Sequence, residues 1–174
     1  AGNAEFADKE GISELVSMAM RGDVGVVGAR SYYKNGTLEH AGCVIGMNGT
    51  AGSLFEHTLR GENGYFSHIV TQMQYSAVAG ACMMVKKDIF EKVNGFDEGY
   101  KGELGKVDLC LKIRNKHISV VYNPYVEMVR WSNELQNNEN DEKIFKKQWA
   151  EILEKGDPYY NKNLSLSVSG CNIR

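Results

Sequence analysis

The chain has 174 residues with a net charge of -2, 43% hydrophobic and 24% charged side chains, and two prolines. That length suits one domain with a substantial core and is too short for two ordinary ones, and the composition excludes a disordered or low-complexity polypeptide. Lysines and arginines are scattered among acids, which leaves no basic stripe to neutralise a phosphate backbone and argues against nucleic acid as a partner.

The N-terminus, "AGNAEFADKEG", lacks the basic start and apolar stretch of a signal peptide and begins abruptly, as an excised fragment would. "EGISELVSMAMRGD" spaces Ile12, Leu15, Val16, Ala19 and Met20 as one apolar face of a helix, with Gly22 as its stop. "VGVVGARSYY" reads as a buried strand, and the Asn35-Gly36 pair in "KNGTLEHAGCVIG" suits a tight hairpin. Glycines and polar residues over 47–64 predict a long loop, of the kind that is commonly functional.

"SAVAGACMMVKKDIFEKVNGFDE" predicts a small-residue strand running into a short helix, with Ile89, Phe90 and Val93 inward and Asn94-Gly95 ending it through a left-handed cap. "KVDLCLKIRNKH" is read as a helix against a core, and "ISVVYNPYVEMVRW" as an extended segment interrupted by Pro124. "NDEKIFKKQWAEILEKG" predicts a final amphipathic helix capped by Gly156, and an irregular tail follows. Helices interspersed with strands make the expected class α/β, with a mixed sheet flanked by helices. The expected organisation is a single domain over 1–174, its core at 14–133 and a C-terminal helix and tail at 134–174. The longest apolar runs, such as "SAVAGACMMV", fall short of the roughly 20 residues that a membrane-spanning helix needs. Cys43, Cys82, Cys110 and Cys171 are far apart, without C-x-x-C spacing or histidines in ligand pattern, and are expected as free thiols in a reducing, cytoplasmic compartment.

Four stretches, "ELVSMAMRGDVGVVGARSYYKNGTLEHAG", "YSAVAGACMMVKKDIFEKVNGFDE", "VDLCLKIRNKHISVVYNPYVEM" and "GDPYYNKNLSL", stand in an order and spacing that resembles the C-terminal half of the catalytic domain of glycosyltransferase family 2, in particular its rhamnosyltransferase-like members in polysaccharide assembly. The resemblance implies the C-terminal part of a GT-A type fold, a nucleotide-sugar donor, a glycan or lipid-linked acceptor, and a divalent metal, magnesium or manganese. In that chemistry a carboxylate cluster holds the metal against the donor diphosphate, and a further carboxylate takes the proton of the attacking hydroxyl. A place at the inner face of the membrane, through a longer parent protein, follows from the same likeness.

Three positions depart from the pattern that the resemblance implies. Asn3 stands in place of a metal-binding aspartate; it offers a carbonyl oxygen without charge, and an origin as a mere terminal residue is equally open. Lys106 occupies the position of the catalytic base, and an ordinary ammonium cannot accept a proton at neutral pH. Glu103 is the nearest acid that could replace it, and Asp108, which keeps its family identity, would serve the site or cap the helix that follows. A histidine expected near the end of the last strand is replaced by Arg130 and Trp131. Arg130 would pair with phosphate directly or sit on a solvated strand end. On the acceptor side the resemblance implies a floor at Gly80 and Ala81, with Asp97 and Glu98 orienting the adjoining loop. Tyr65, Phe66, Tyr75 and Tyr100 are candidates for stacking on sugar rings or for the core. The expected outcome is a domain inactive on its own. The competing reading is a non-catalytic carbohydrate-binding or scaffolding module, and a homodimer through an exposed apolar face is a third possibility.

Overall fold

A computed structural model describes residues 4–78, 81–131 and 137–173. In chain order the elements are β1 (Ala4–Phe6), α1 (Gly11–Ala19), β2 (Val24–Tyr33), β3 (Leu38–His40), β4 (Cys43–Ile45), β5 (Ala51–Ser53), β6 (Met73–Gln74), β7 (Met83–Val85), α2 (Lys87–Lys92), α3 (Leu104–Arg114), β8 (Ser119–Arg130), α4 (Glu139–Gln148) and α5 (Ala150–Lys155). The main sheet runs β1-β8-β2-β3, with β6 added to β8 and β7 to β2, while β4 and β5 form a separate hairpin. β2 and β8 are parallel and the remaining pairings of this sheet are antiparallel, so the sheet is mixed, as the α/β pattern predicts, and matches part of a Rossmann-like fold.

The two long strands are apolar on both faces because both faces are covered. Val26, Val120 and Tyr122 point into the larger core, under α2, α3 and α4, and Val27 and Val121 into a smaller one under α1. Pro124 has no N–H to give to the ladder, and the register jumps there: Ala29 faces Asn123, whereas Arg30 faces Glu127. The three residues between are absorbed as a bulge, held by the Tyr125 N–H donating to the Asn123 side chain at 3.1 Å.

The cap on α2 forms as expected. Asn94 and Gly95 both take positive φ (60° and 61°), and the Gly95 N–H reaches back to the Phe90 carbonyl at 2.9 Å. Three expectations are corrected. α1 buries Leu15 and Ala19 but leaves Ile12 and Val16 exposed, as is Met20 just past its end, because it meets the sheet along one narrow stripe and turns the adjacent one outward. α3 starts at Leu104, upstream of the stretch expected to be helical from Lys106, so Asp108 sits inside the helix and does not cap it. The last helix is two, α4 and α5, broken at Trp149 (φ -111°, ψ 25°). Asn138 and Asp141 close the start of α4 with a reciprocal capping box, and the Asp141 carboxylate also accepts the backbone N–H groups of Lys101 and Gly102 at 3.0 and 2.9 Å. One buried acid therefore anchors the loop that leads into α3.

Candidate functional site

The carboxyl ends of parallel strands are where open α/β sheets place their ligands. Here Tyr33 and Arg130, the last residues of β2 and β8, are register partners at that end. Alternation along β8 turns Arg130 inward after Val126 and Met128, leaving it 8% exposed. Its Nε lies 2.5 Å from Oε1 of the fully buried Glu39 on β3, and its Nη1 lies 3.8 Å from Oε1 of Glu103. The Glu103 carboxylate is in turn 2.6 Å from the Lys106 ammonium, one turn along α3. The Arg130–Glu39 approach is off the line of a hydrogen bond, so it is a Coulombic contact in low-dielectric surroundings. Two carboxylates and two cations thus neutralise one another at the strand ends.

His40 is also buried here. Burial first, then the positive charges of Lys106 and Arg130, push its pKa down to about 3, so the ring is neutral at physiological pH. The Gly42 N–H donates to Nε2 at 3.2 Å, which fixes the tautomer: the ring proton is on Nδ1, 3.2 Å from the Ser53 hydroxyl and 3.8 Å from the Cys43 sulfur.

Of the residues expected from sequence, Lys106, Glu103 and Arg130 come together. Arg130 is not on a solvated strand end but enclosed by acids, and it is Trp131 that is exposed, with the Lys34 ammonium 5.5 Å from its ring centroid. Asp108 turns the other way, into the packing of α3 against α4. It is fully buried, accepts from Gln148 Nε2 at 2.7 Å and Trp149 Nε1 at 3.0 Å, and lies 2.9 Å from the Lys112 ammonium. Asp97 accepts the Gly99 N–H in a local turn, and Glu98 is exposed, its carbonyl accepting from Lys101 Nζ. Ala81 is partly buried against the smaller core. Asn3 and Gly80 lie outside the described residues. Tyr75 and Tyr100 are core residues, whereas Tyr65 and Phe66 are exposed.

Beside the charge cluster, between the β4–β5 hairpin and the start of α3, is a cleft of about 170 Å³ lined by Cys43, Asn48, Ser53, Glu56, Glu103 and Asn137, among others. Glu56 is tied to the end of β2 by the Tyr33 hydroxyl at 2.5 Å. A larger cleft, of about 590 Å³, lies at the other end of α3 against α5, away from the strand ends. The sequence alone does not single out Glu39, His40, Ser53, Glu56 or Asn137. The available signal is "LEHAG", a glutamate and a histidine set between apolar and small residues, where polar groups need partners if buried.

Among the described residues no three histidine, cysteine or acidic side chains converge on a point that would hold a metal ion. The acids at the strand ends do not fit a divalent cation, because Lys106 and Arg130 already stand against them. All four cysteines are free thiols, and no helix among the described residues is long and apolar enough to cross a membrane.

The fold and this site define an α/β unit with a charge-neutralised strand-end pocket. No family model matches the chain, and no solved structure matches it. It is 34% identical over 94% of its length to the uncharacterised protein y4gI of Sinorhizobium fredii, and 31% identical over 98% of its length to the O-antigen biosynthesis protein RfbC of Myxococcus xanthus. The chain spans 19% and 14% of those two proteins, respectively.

Proposed function

We propose that the chain is the acceptor-side portion of a glycosyltransferase family 2 domain from a bacterial polysaccharide-assembly protein, and that this copy has lost the charges of catalysis. The sequence stretches in family order and the similarity to an O-antigen biosynthesis protein support the polysaccharide setting. One observation carries the loss of catalysis: at the position of the family base stands Lys106, its ammonium 2.6 Å from Glu103, in a cluster whose other cation, Arg130, is matched by Glu39. A transferase needs an unencumbered carboxylate beside the acceptor hydroxyl and net positive charge, metal or guanidinium, on the diphosphate. Here the cations are spent on the protein's own acids. The parent protein's transfer of sugar from a nucleotide-sugar donor, with magnesium or manganese, would belong to another domain. This one would serve as a carbohydrate-binding or scaffolding module.

The test is calorimetric titration of the chain with nucleotide sugars and manganese, paired with an assay for released nucleoside diphosphate, on the native protein and Lys106→Asp. Release by neither, or donor binding gained only by Lys106→Asp, fits the proposal. Turnover by the native protein that Lys106→Asp abolishes would overturn it.

A further inference from the structure

We infer that the 170 Å³ cleft between the β4–β5 hairpin and α3 binds a single uncharged or amino-bearing sugar ring, and rejects phosphorylated ligands. Its volume is below the roughly 300–1,000 Å³ of sites that enclose drug-sized ligands and is too small to enclose a nucleoside diphosphate. Its chemistry follows from its hydrogen bonds. The tautomer that Gly42 imposes on the buried His40 makes Nδ1 the donor to Ser53, so the serine oxygen accepts and its own proton is left for a ligand. Asn137 accepts the Leu104 N–H through Oδ1 at 2.8 Å, which identifies that atom as the oxygen and leaves the NH₂ as a second donor. Glu56, whose Oε1 takes the Tyr33 proton, keeps Oε2 as an acceptor, and Glu103 adds a carboxylate edge. Two donors and two carboxylates around one small space match the alternating donor and acceptor character of neighbouring sugar hydroxyls. Among the described residues no lysine, arginine or histidine lines the cleft, and with Glu103 already matched by Lys106 the charge left facing it is that of Glu56, which repels a phosphate and attracts an ammonium group.

The choice of saccharides as probes follows from the transferase-derived reading above; the cleft's charge preference does not. In ¹⁵N-labelled chain, methyl glucoside and glucosamine are expected to shift the amides of Ser53, Glu56, Glu103 and Asn137, and uridine diphosphate is not. Ser53→Ala should weaken the saccharides on the order of tenfold, and Ser53→Thr, which keeps the hydroxyl and the His40 contact, should retain them. Glu56→Gln should weaken glucosamine more than the glucoside. Shifts of these same amides by uridine diphosphate, or saccharide binding unchanged in a folded Ser53→Ala protein, would overturn the assignment, as would the absence of any shift with both sugars. Nucleoside diphosphate release is a separate readout: turnover by the native chain would overturn the loss of catalysis proposed above and leave these shifts standing, and absent shifts would leave that loss standing.

Discussion

Replacing Asp108 by alanine separates its structural role from any catalytic one. The carboxylate accepts two side-chain hydrogen bonds, from Gln148 and Trp149, across the α3–α4 contact, and balances Lys112, whose side chain is 22% exposed. A hydrogen bond to a charged group contributes about 1.5–3 kcal/mol, and removing one member of a buried ion pair costs about 3–5 kcal/mol. The interactions share one carboxylate and do not add, and Lys112 has some access to water, so a loss of roughly 3–4 kcal/mol is expected, a large part of the ~5–15 kcal/mol that holds a domain folded. With a urea m-value of about 2 kcal/mol/M, the unfolding midpoint should fall by about 1.5–2 M. Asp108→Asn keeps an oxygen for Gln148 and Trp149 but loses the charge against Lys112, and should lose only about 1–2 kcal/mol. Urea titration followed by tryptophan fluorescence reads this directly, since Trp149 is itself a partner. A midpoint for Asp108→Ala within about 0.3 M of the native protein would refute the assignment of Asp108 as a tie between helices. Asparagine as damaging as alanine would show that the charge on Lys112, not the hydrogen bonds, dominates.

Acid should weaken the fold through His40. Its pKa is lowered from 6.5 to about 3, so between those values the unfolded chain binds more protons than the folded one. The stabilisation is complete above pH 6.5 and is lost progressively toward pH 3; at ~1.4 kcal/mol per pH unit it amounts to roughly 5 kcal/mol. Urea midpoints of the native protein and His40→Gln, compared between pH 4 and 7, should diverge as pH rises, and parallel curves would contradict the shift. Gly42→Ala should cost more than about 2 kcal/mol, because Gly42 has φ +106° and an added Cβ would run into the Tyr75 ring in the core. A thermal melt unchanged in that variant would count against the packing described.

Local chemistry was legible in the sequence. Asn94-Gly95 could end α2 because both residues tolerate positive φ, and Pro124 had to interrupt β8 because it cannot donate to the ladder. The alternation of helical and strand patterns determined the α/β class by the same local rules. What sequence could not resolve was direction. α3 is buried nearly all round, so no polar stripe marks its start, and its early onset decided that Asp108 would face α4 while Glu103 and Lys106 would face the strand ends. α1 carries five apolar residues, and only its contact with the sheet selected which were covered. Glu39 and Arg130 are 91 positions apart and meet because β2 and β8 run parallel with β3 folded back beside them. Short-range sterics and hydrogen bonding are written into neighbouring residues, whereas the pairing of buried charges depends on which distant segments the packed sheet brings within a few ångströms.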